Sequence, residues 1–137
     1  MHTFDSTPFI RLFVFTLVFS LGLPLAACSG EKLPKGFIAM SEEPLNWEDA
    51  KAFCESKGGK LPQINASGAK RAIDNFGTED GPWPQGFTQC QYWTDSVATG
   101  YENYATRVLP GGPSNSPRID FNSAQKSSKL RAVCVPK

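Results

Sequence analysis

Cys28, Cys54, Cys90, Cys134 and the single histidine, His2, are the side chains whose types most directly imply chemistry. A cysteine sulfur can act as a thiolate nucleophile, a metal ligand, half of a disulfide or the attachment point of a lipid. His2 lies at the far amino end, inside a segment that reads as a removable leader. Without it the remaining chain has no Ser-His or Cys-His nucleophile pair and no His-containing zinc site. Glu79 and Asp80 are the one adjacent acidic pair in a Gly/Pro-rich loop, where such pairs form a solvated turn more readily than an acid–base couple. No Gly-rich phosphate loop follows a strand pattern. We therefore expect no catalytic residue, no metal ligand and no cofactor.

The leader has the parts of an export signal. Arg11 precedes an apolar run from Leu12 to Leu25, with His2 and Asp5 keeping the region before it only weakly basic. The run is shorter than the ~20 residues a spanning helix needs. Gly22 and Pro24 break any helix and leave the chain extended for a peptidase. Leu25-Ala26-Ala27-Cys28 resembles the lipobox of bacterial lipoproteins. The resemblance implies cleavage before Cys28, a diacylglycerol on its sulfur and a fatty acyl group such as palmitate on its new amino group. Two or more chains, at ~0.8 kcal/mol per buried CH₂, give stable anchoring where one is marginal. Ser29, rather than Asp, implies by the same resemblance the outer membrane over the inner one. An uncleaved anchor and a plain secretory signal are the alternatives. The expected organisation is a signal peptide over 1–27, a lipidated tether over 28–35 reaching at most ~25 Å, and one domain over 36–137.

Removing 27 of 137 residues leaves 110, enough for one domain. Net charge is +1 for the whole chain, and the leader removes one base (Arg11) and one acid (Asp5). A near-neutral surface argues against nucleic acid, which requires clustered Lys and Arg. Aromatic residues are plentiful, and most are expected in the core of so small a domain. Export places Cys54, Cys90 and Cys134 where a disulfide is expected. We expect Cys54 with Cys134, closing a loop of about 80 residues worth roughly 4 kcal/mol in the chain-entropy model. Cys90 is then buried and inert or pairs between molecules, and other pairings remain open.

Gly36–Met40 reads as a first strand. Asn46 is an N-cap ahead of a helix from Trp47 to about Lys57, with Trp47, Ala50, Phe53 and Cys54 on one face and Gly58-Gly59 at its end. Leu61–Ile64 reads as extended. A second helix is expected from Ser67 to Phe76, with Ala69, Ala72, Ile73 and Phe76 inward. The stretch 78–88 has no regular period. Strands are expected over Gln89–Asp95, Glu102–Leu109, Arg118–Phe121 and Leu130–Val135. The order implies an α+β fold with two helices and a mostly antiparallel sheet.

Asn46-Trp47-Glu48-Asp49-Ala50-Lys51-Ala52-Phe53-Cys54, with Gly58-Gly59-Lys60-Leu61-Pro62, resembles the opening of C-type lectin-like domains, and more closely the Lcl C-terminal domain family and its sulfatase-modifying-factor cousins. Tyr92-Trp93-Thr94-Asp95-Ser96 is similar to an internal Tyr-Trp-Ser-Ser segment of the Lcl type. Ala132-Val133-Cys134-Val135 is similar to its closing Val-Arg-Cys-Val. The resemblance covers about residues 36–136. It implies pairing of the first and last strands, a Cys54–Cys134 bond, and a binding surface on the long loops. The Glu-Pro-Asn or Gln-Pro-Asp tripeptide of calcium-dependent sugar-binding lectins does not occur, so a calcium–sugar site is not expected.

Binding candidates therefore lie on loops. Trp83 and Phe87 stand between Pro82, Pro84 and Gly86, on a segment too irregular to turn both rings easily toward one core. Stiff exposed rings make good ligand anchors; the other reading of this loop is plain packing of both rings onto the core. Tyr101, Asn115 and Arg118 are further candidates, and Lys126, Lys129 and Arg131 form a basic edge able to attract an anionic glycan. The expected protein is a lipid-anchored, non-enzymatic, calcium-independent adhesion module of the bacterial envelope. Its partners are the membrane and an envelope protein or polysaccharide, not nucleic acid. The alternatives are a structural subunit of an envelope complex and a thiol enzyme of the sulfatase-modifying type.

Overall fold

A computed structural model describes residues 33–67 and 69–137. The expected signal peptide, Cys28 and most of the expected tether lie outside the described residues. The elements are β1 (Ala39–Met40), α1 (Trp47–Ser56), β2 (Gly59–Lys60), β3 (Ile64–Ser67), β4 (Lys70–Ile73), β5 (Gly77–Thr78), β6 (Tyr92–Val97), β7 (Tyr104–Gly111), β8 (Arg118–Gln125) and β9 (Val133–Pro136). They form three antiparallel three-stranded sheets and one helix, an α+β fold.

Helix α1 forms for the reasons its sequence carries. The Asn46 side chain accepts from the backbone N–H of Asp49 at 2.8 Å, and Glu48 and Asp49 place negative charge in the first turn. Trp47, Ala50 and Cys54 are buried on one face. Gly58 follows at φ 77°, a left-handed conformation suited to ending a helix.

The first and last strands pair. β9 lies between β1 and β2, with Ala39 opposite Cys134 and Gly59 opposite Pro136. Cys54 on α1 and Cys134 on β9 form a disulfide with Cα atoms 5.3 Å apart and a sequence separation of 80. Gly59 is required by close approach. A Cβ there would come within 2.5 Å of both Ile38 Cδ1 and the Val135 carbonyl oxygen.

The expected second helix is a correction. Residues Ile64–Ser67 and Lys70–Ile73 form a hairpin instead, with Ile64 opposite Ile73 and Ser67 opposite Lys70. The apolar spacing of Ala69, Ala72, Ile73 and Phe76 imitates a helix, but Ala69 is exposed and only Ile73 and Phe76 are buried. Pairing along both strands of the hairpin outweighs ten residues of weak helical pattern. Asp74 completes the hairpin's open end by accepting from the Gln63 N–H at 3.2 Å and from Asn65 Nδ2 at 3.0 Å.

Two apolar clusters flank the central strands. Tyr92 and Trp93 are consecutive on β6, so their side chains leave on opposite faces. Tyr92 joins Val108, Ile119, Phe121, Val133 and Val135 with Phe37, Phe76, Trp83 and Phe87. Trp93 joins Ala105, Ala124, Ala132 and Cys134 with Trp47, Ala50 and Cys54 of α1. β9 alternates in the same way: Val133 and Val135 face one cluster, Cys134 the other. Both helix-side indoles are satisfied, Trp93 Nε1 donating to the Leu45 carbonyl and Trp47 Nε1 to the Thr94 carbonyl, each at 2.8 Å.

β7 and β8 pair over eight residues, from Tyr104 opposite Gln125 to Gly111 opposite Arg118. The outer edge of β8 is closed in two ways. Near its start, the Ile119 N–H donates to the Gly81 carbonyl and its carbonyl accepts from the Asp80 N–H, each at 3.0 Å. Further along, the Phe121 N–H is taken by Asp120 Oδ1 and the Ser123 N–H by Asn122 Oδ1, each at 2.7 Å.

Candidate ligand-binding surface

Trp83 and Phe87 are core residues, each 8 % exposed. Of the two readings of this loop, packing onto the core is the one the structure shows, and the two rings are not exposed ligand anchors. Phe87 stacks on Phe76 at 5.1 Å between centroids and meets Phe37 edge-on at 4.9 Å, while Trp83 lies 6.0 Å from Phe76. The loop needs no regular period because it is fastened to β8. The Trp83 N–H donates to the Pro117 carbonyl at 3.1 Å, beside the Asp80–Ile119 and Ile119–Gly81 bonds.

The remaining candidates fall at opposite ends of the β7–β8 hairpin. Asn115 and Arg118 are exposed at its tip, where Asp80, Pro82, Ser116, Pro117 and Arg118 line a shallow cleft of ≈ 250 Å³. Tyr101 is at the base, 66 % exposed. Seven residue steps of ~3.4 Å put the two ends ~24 Å apart, too far for one small ligand. The structure therefore does not bring Tyr101 together with Asn115 and Arg118.

Around Tyr101 the surface is built. The Tyr101 N–H donates to the Ala98 carbonyl at 3.1 Å and the Tyr104 N–H to the Tyr101 carbonyl at 2.9 Å, fixing a tight turn. The Tyr101 ring meets Tyr104 edge-on, with centroids 5.9 Å apart. Asn103, Tyr104, Gln125, Lys126 and Ser127 line an adjoining open pocket of ≈ 420 Å³. Its two walls come from separate segments. The Tyr104–Gln125 register joins them, as does a bond from the Lys126 N–H to the Asn103 carbonyl at 2.9 Å. Gln125 Nε2 donates to the Tyr104 hydroxyl at 3.3 Å. Sequence reading found Tyr101 and listed Lys126 only as part of a basic edge. Asn103, Tyr104, Gln125 and Ser127 carry no pattern that marks them until the hairpin register is known.

The basic edge divides. Lys129 lies 4.0 Å from Asp49, and Arg131 is buried and donates to the Ser41 carbonyl. Lys126 Nζ sits 4.3 Å from the Trp47 ring centroid, and Lys51 Nζ sits 4.4 Å from the same centroid. Lys51 also reaches Asp95 at 3.7 Å. No carboxylate among the described residues pairs with Lys126.

Elsewhere, Arg71 binds Glu79 through two nitrogens, at 3.1 and 2.5 Å, and stacks over Phe121. The Arg71 hydrogen bond holds the Glu79 carboxyl below its ordinary range and raises Arg71 in turn. Glu79 and Asp80 thus serve two separate ion pairs, the second from Asp80 to Lys70 at 3.6 Å. Cys90 also departs from expectation. It is disulfide-bonded rather than left over, and its sulfur accepts from the Thr88 hydroxyl at 3.1 Å.

Among the described residues no group of three or more His, Cys, Asp or Glu is placed to hold a metal ion, and no helix is long and apolar enough to cross a membrane. No family model, no curated protein and no solved structure matches the chain.

Proposed function

We propose that this protein is a lipid-anchored, non-catalytic binding module of the bacterial envelope, with a fold of the C-type-lectin-like kind and the Tyr101 surface as its ligand site. The fold reading draws support from the paired end strands, the α1–β9 disulfide and the buried Trp93 strand. One observation carries the functional reading: the site and the tether leave from opposite ends of α1. The Trp47 N–H at the start of α1 donates to the Lys126 carbonyl. Past its other end, Gly59 packs under Ile38, just after the chain enters the domain at Leu33. The ten residues of α1 separate them by ~15 Å. A domain held at its entry end turns the Tyr101 pocket away from the bilayer, toward an envelope polysaccharide or a segment of an envelope protein. Replacing Tyr101 by Ala should weaken binding to isolated envelope polysaccharide or the native partner by about tenfold, the size expected of an interface anchor, without moving the thermal midpoint. Unchanged binding would defeat this site.

A further inference from the structure

We propose that the cleft between β1 and α1 seats on the phospholipid headgroups of the supporting bilayer, so that the domain lies on the membrane instead of swinging from its tether; this rests on the lipid-anchored reading. Ile38, Ala39, Met40, Glu42, Phe53 and Lys57 line the cleft, which has a volume of ≈ 550 Å³. Its walls are mostly apolar, and Ile38 is 42 % exposed. The cleft lies beside the point where the chain enters the domain. Leu33 is followed within a few positions by Ile38, whose side chain covers Gly59 just past the end of α1. With a tether of at most ~25 Å, the bilayer is the nearest surface to this side.

Charge points to the same occupant. Lys51, Lys70, Arg71 and Lys129 each pair with a carboxylate. Lys35, Lys57, Lys60 and Lys137 pair with none among the described residues. These four bracket one end of the β1–β9–β2 sheet: Lys35 precedes β1, Lys57 caps α1, Lys60 lies in β2 and Lys137 follows β9. Lys60 also donates to Gln63 Oε1 at 3.5 Å. Lys57 Nζ stands 5.5 Å from the Phe53 ring centroid, with the stem along the ring and the head free. Headgroup phosphates match the lysines, and ethanolamine ammonium groups match Glu42. The glycerol and first methylenes match Ile38 and Phe53. A bilayer surface supplies all three kinds of group at once, whereas a purely apolar partner would strand Lys57 and Glu42 without water.

The test uses the lipidated mature protein in nanodiscs of phosphatidylethanolamine and phosphatidylglycerol that carry a headgroup spin label. The NMR signals of Ile38, Met40, Phe53 and Lys57 should be broadened away, while those of Tyr101 stay sharp. Nanodiscs of phosphatidylcholine alone should lose most of this selectivity, as should raised salt, which shortens the screening length. Lys57→Gln should lower the docked-to-free ratio about fivefold, the worth of one lysine near an anionic surface, and Lys57→Arg should keep it. Broadening spread evenly over the domain, or centred on Tyr101, would overturn the inference and leave the anchor standing. Protein that does not stay with the nanodiscs at all would overturn the anchor and the inference together. A dimer in detergent that Ile38→Ser breaks would assign the cleft to a second copy and sink the membrane seat.

Discussion

The two faces of the central strands are packed by different means. On the Trp93 side, a helix supplies Trp47, Ala50 and Cys54, and the strands answer with small residues: Ala105, Ala124 and Ala132. On the Tyr92 side no helix is present, and Phe37, Phe76, Trp83 and Phe87 come largely from turns and irregular chain. The helix brings its own backbone bonds, so small strand residues let it approach closely and a disulfide clamps the join. The loop side needs large rings, because irregular chain cannot approach as closely or as evenly. Its backbone groups are satisfied by borrowing from β8, as Asp80 and Gly81 do, and from Pro117 just before it, as Trp83 does. Burial is nonetheless deep on both sides.

The largest test of this equivalence removes one indole from each face. Trp93→Ala should cost about 4 kcal/mol in denaturant unfolding, for a fully buried ring and a lost bond to Leu45. Trp83→Ala should cost about 3 kcal/mol, the low end for a buried aromatic. A loss under ~1 kcal/mol for Trp83, the range of ordinary surface positions, would mean the loop side is a cover and not a core.

Gly59→Ala sharpens the contrast at the seam between the ends. Its new methyl would meet a backbone oxygen as well as the flexible Ile38 tip, so it should destabilise by about 1–3 kcal/mol. Pairing it with Ile38→Ala should recover only part of that loss, because the Val135 oxygen stays. Full recovery would show that β9 yields more easily than its position between two strands implies.

The smallest effect is expected at the Arg71–Glu79 pair, which fastens the loop side from outside. Glu79 is held low chiefly by the Arg71 hydrogen bond. Its contribution is therefore complete above the ordinary carboxylate range and is lost as pH falls through the lowered value. The pair is partly exposed, so Arg71→Ala should cost less than about 1 kcal/mol near pH 7 and nothing below that acidic window. Stability curves of variant and parent should converge there. Curves that stay parallel into acid would assign the loss to Arg71 packing on Phe121 rather than to its charge.

The helix side was legible in the sequence because its signals are local: Asn46 capping Asp49, an apolar face through Trp47 and Cys54, and Gly58 at the end. The end strands and the α1–β9 disulfide were reachable through family resemblance. The loop side was only partly legible: core packing of Trp83 and Phe87 stood beside an exposed-anchor reading, because their burial depends on hydrogen bonds to chain more than thirty residues away. The false helix over 67–76 failed for a related reason. Alanines satisfy helical spacing without needing burial, so they cannot report which period governs. The candidate surface was half visible: an exposed Tyr can be suspected from its loop, but the Asn103–Gln125–Ser127 wall exists only once β7 and β8 are in register.

The side-chain caps on β8 bear on self-association. An open strand edge is a template on which another copy can zip. With the Phe121 and Ser123 amides already occupied by Asp120 and Asn122, that template offers few donors, which disfavours pairing of β8 with a neighbouring chain even at high concentration.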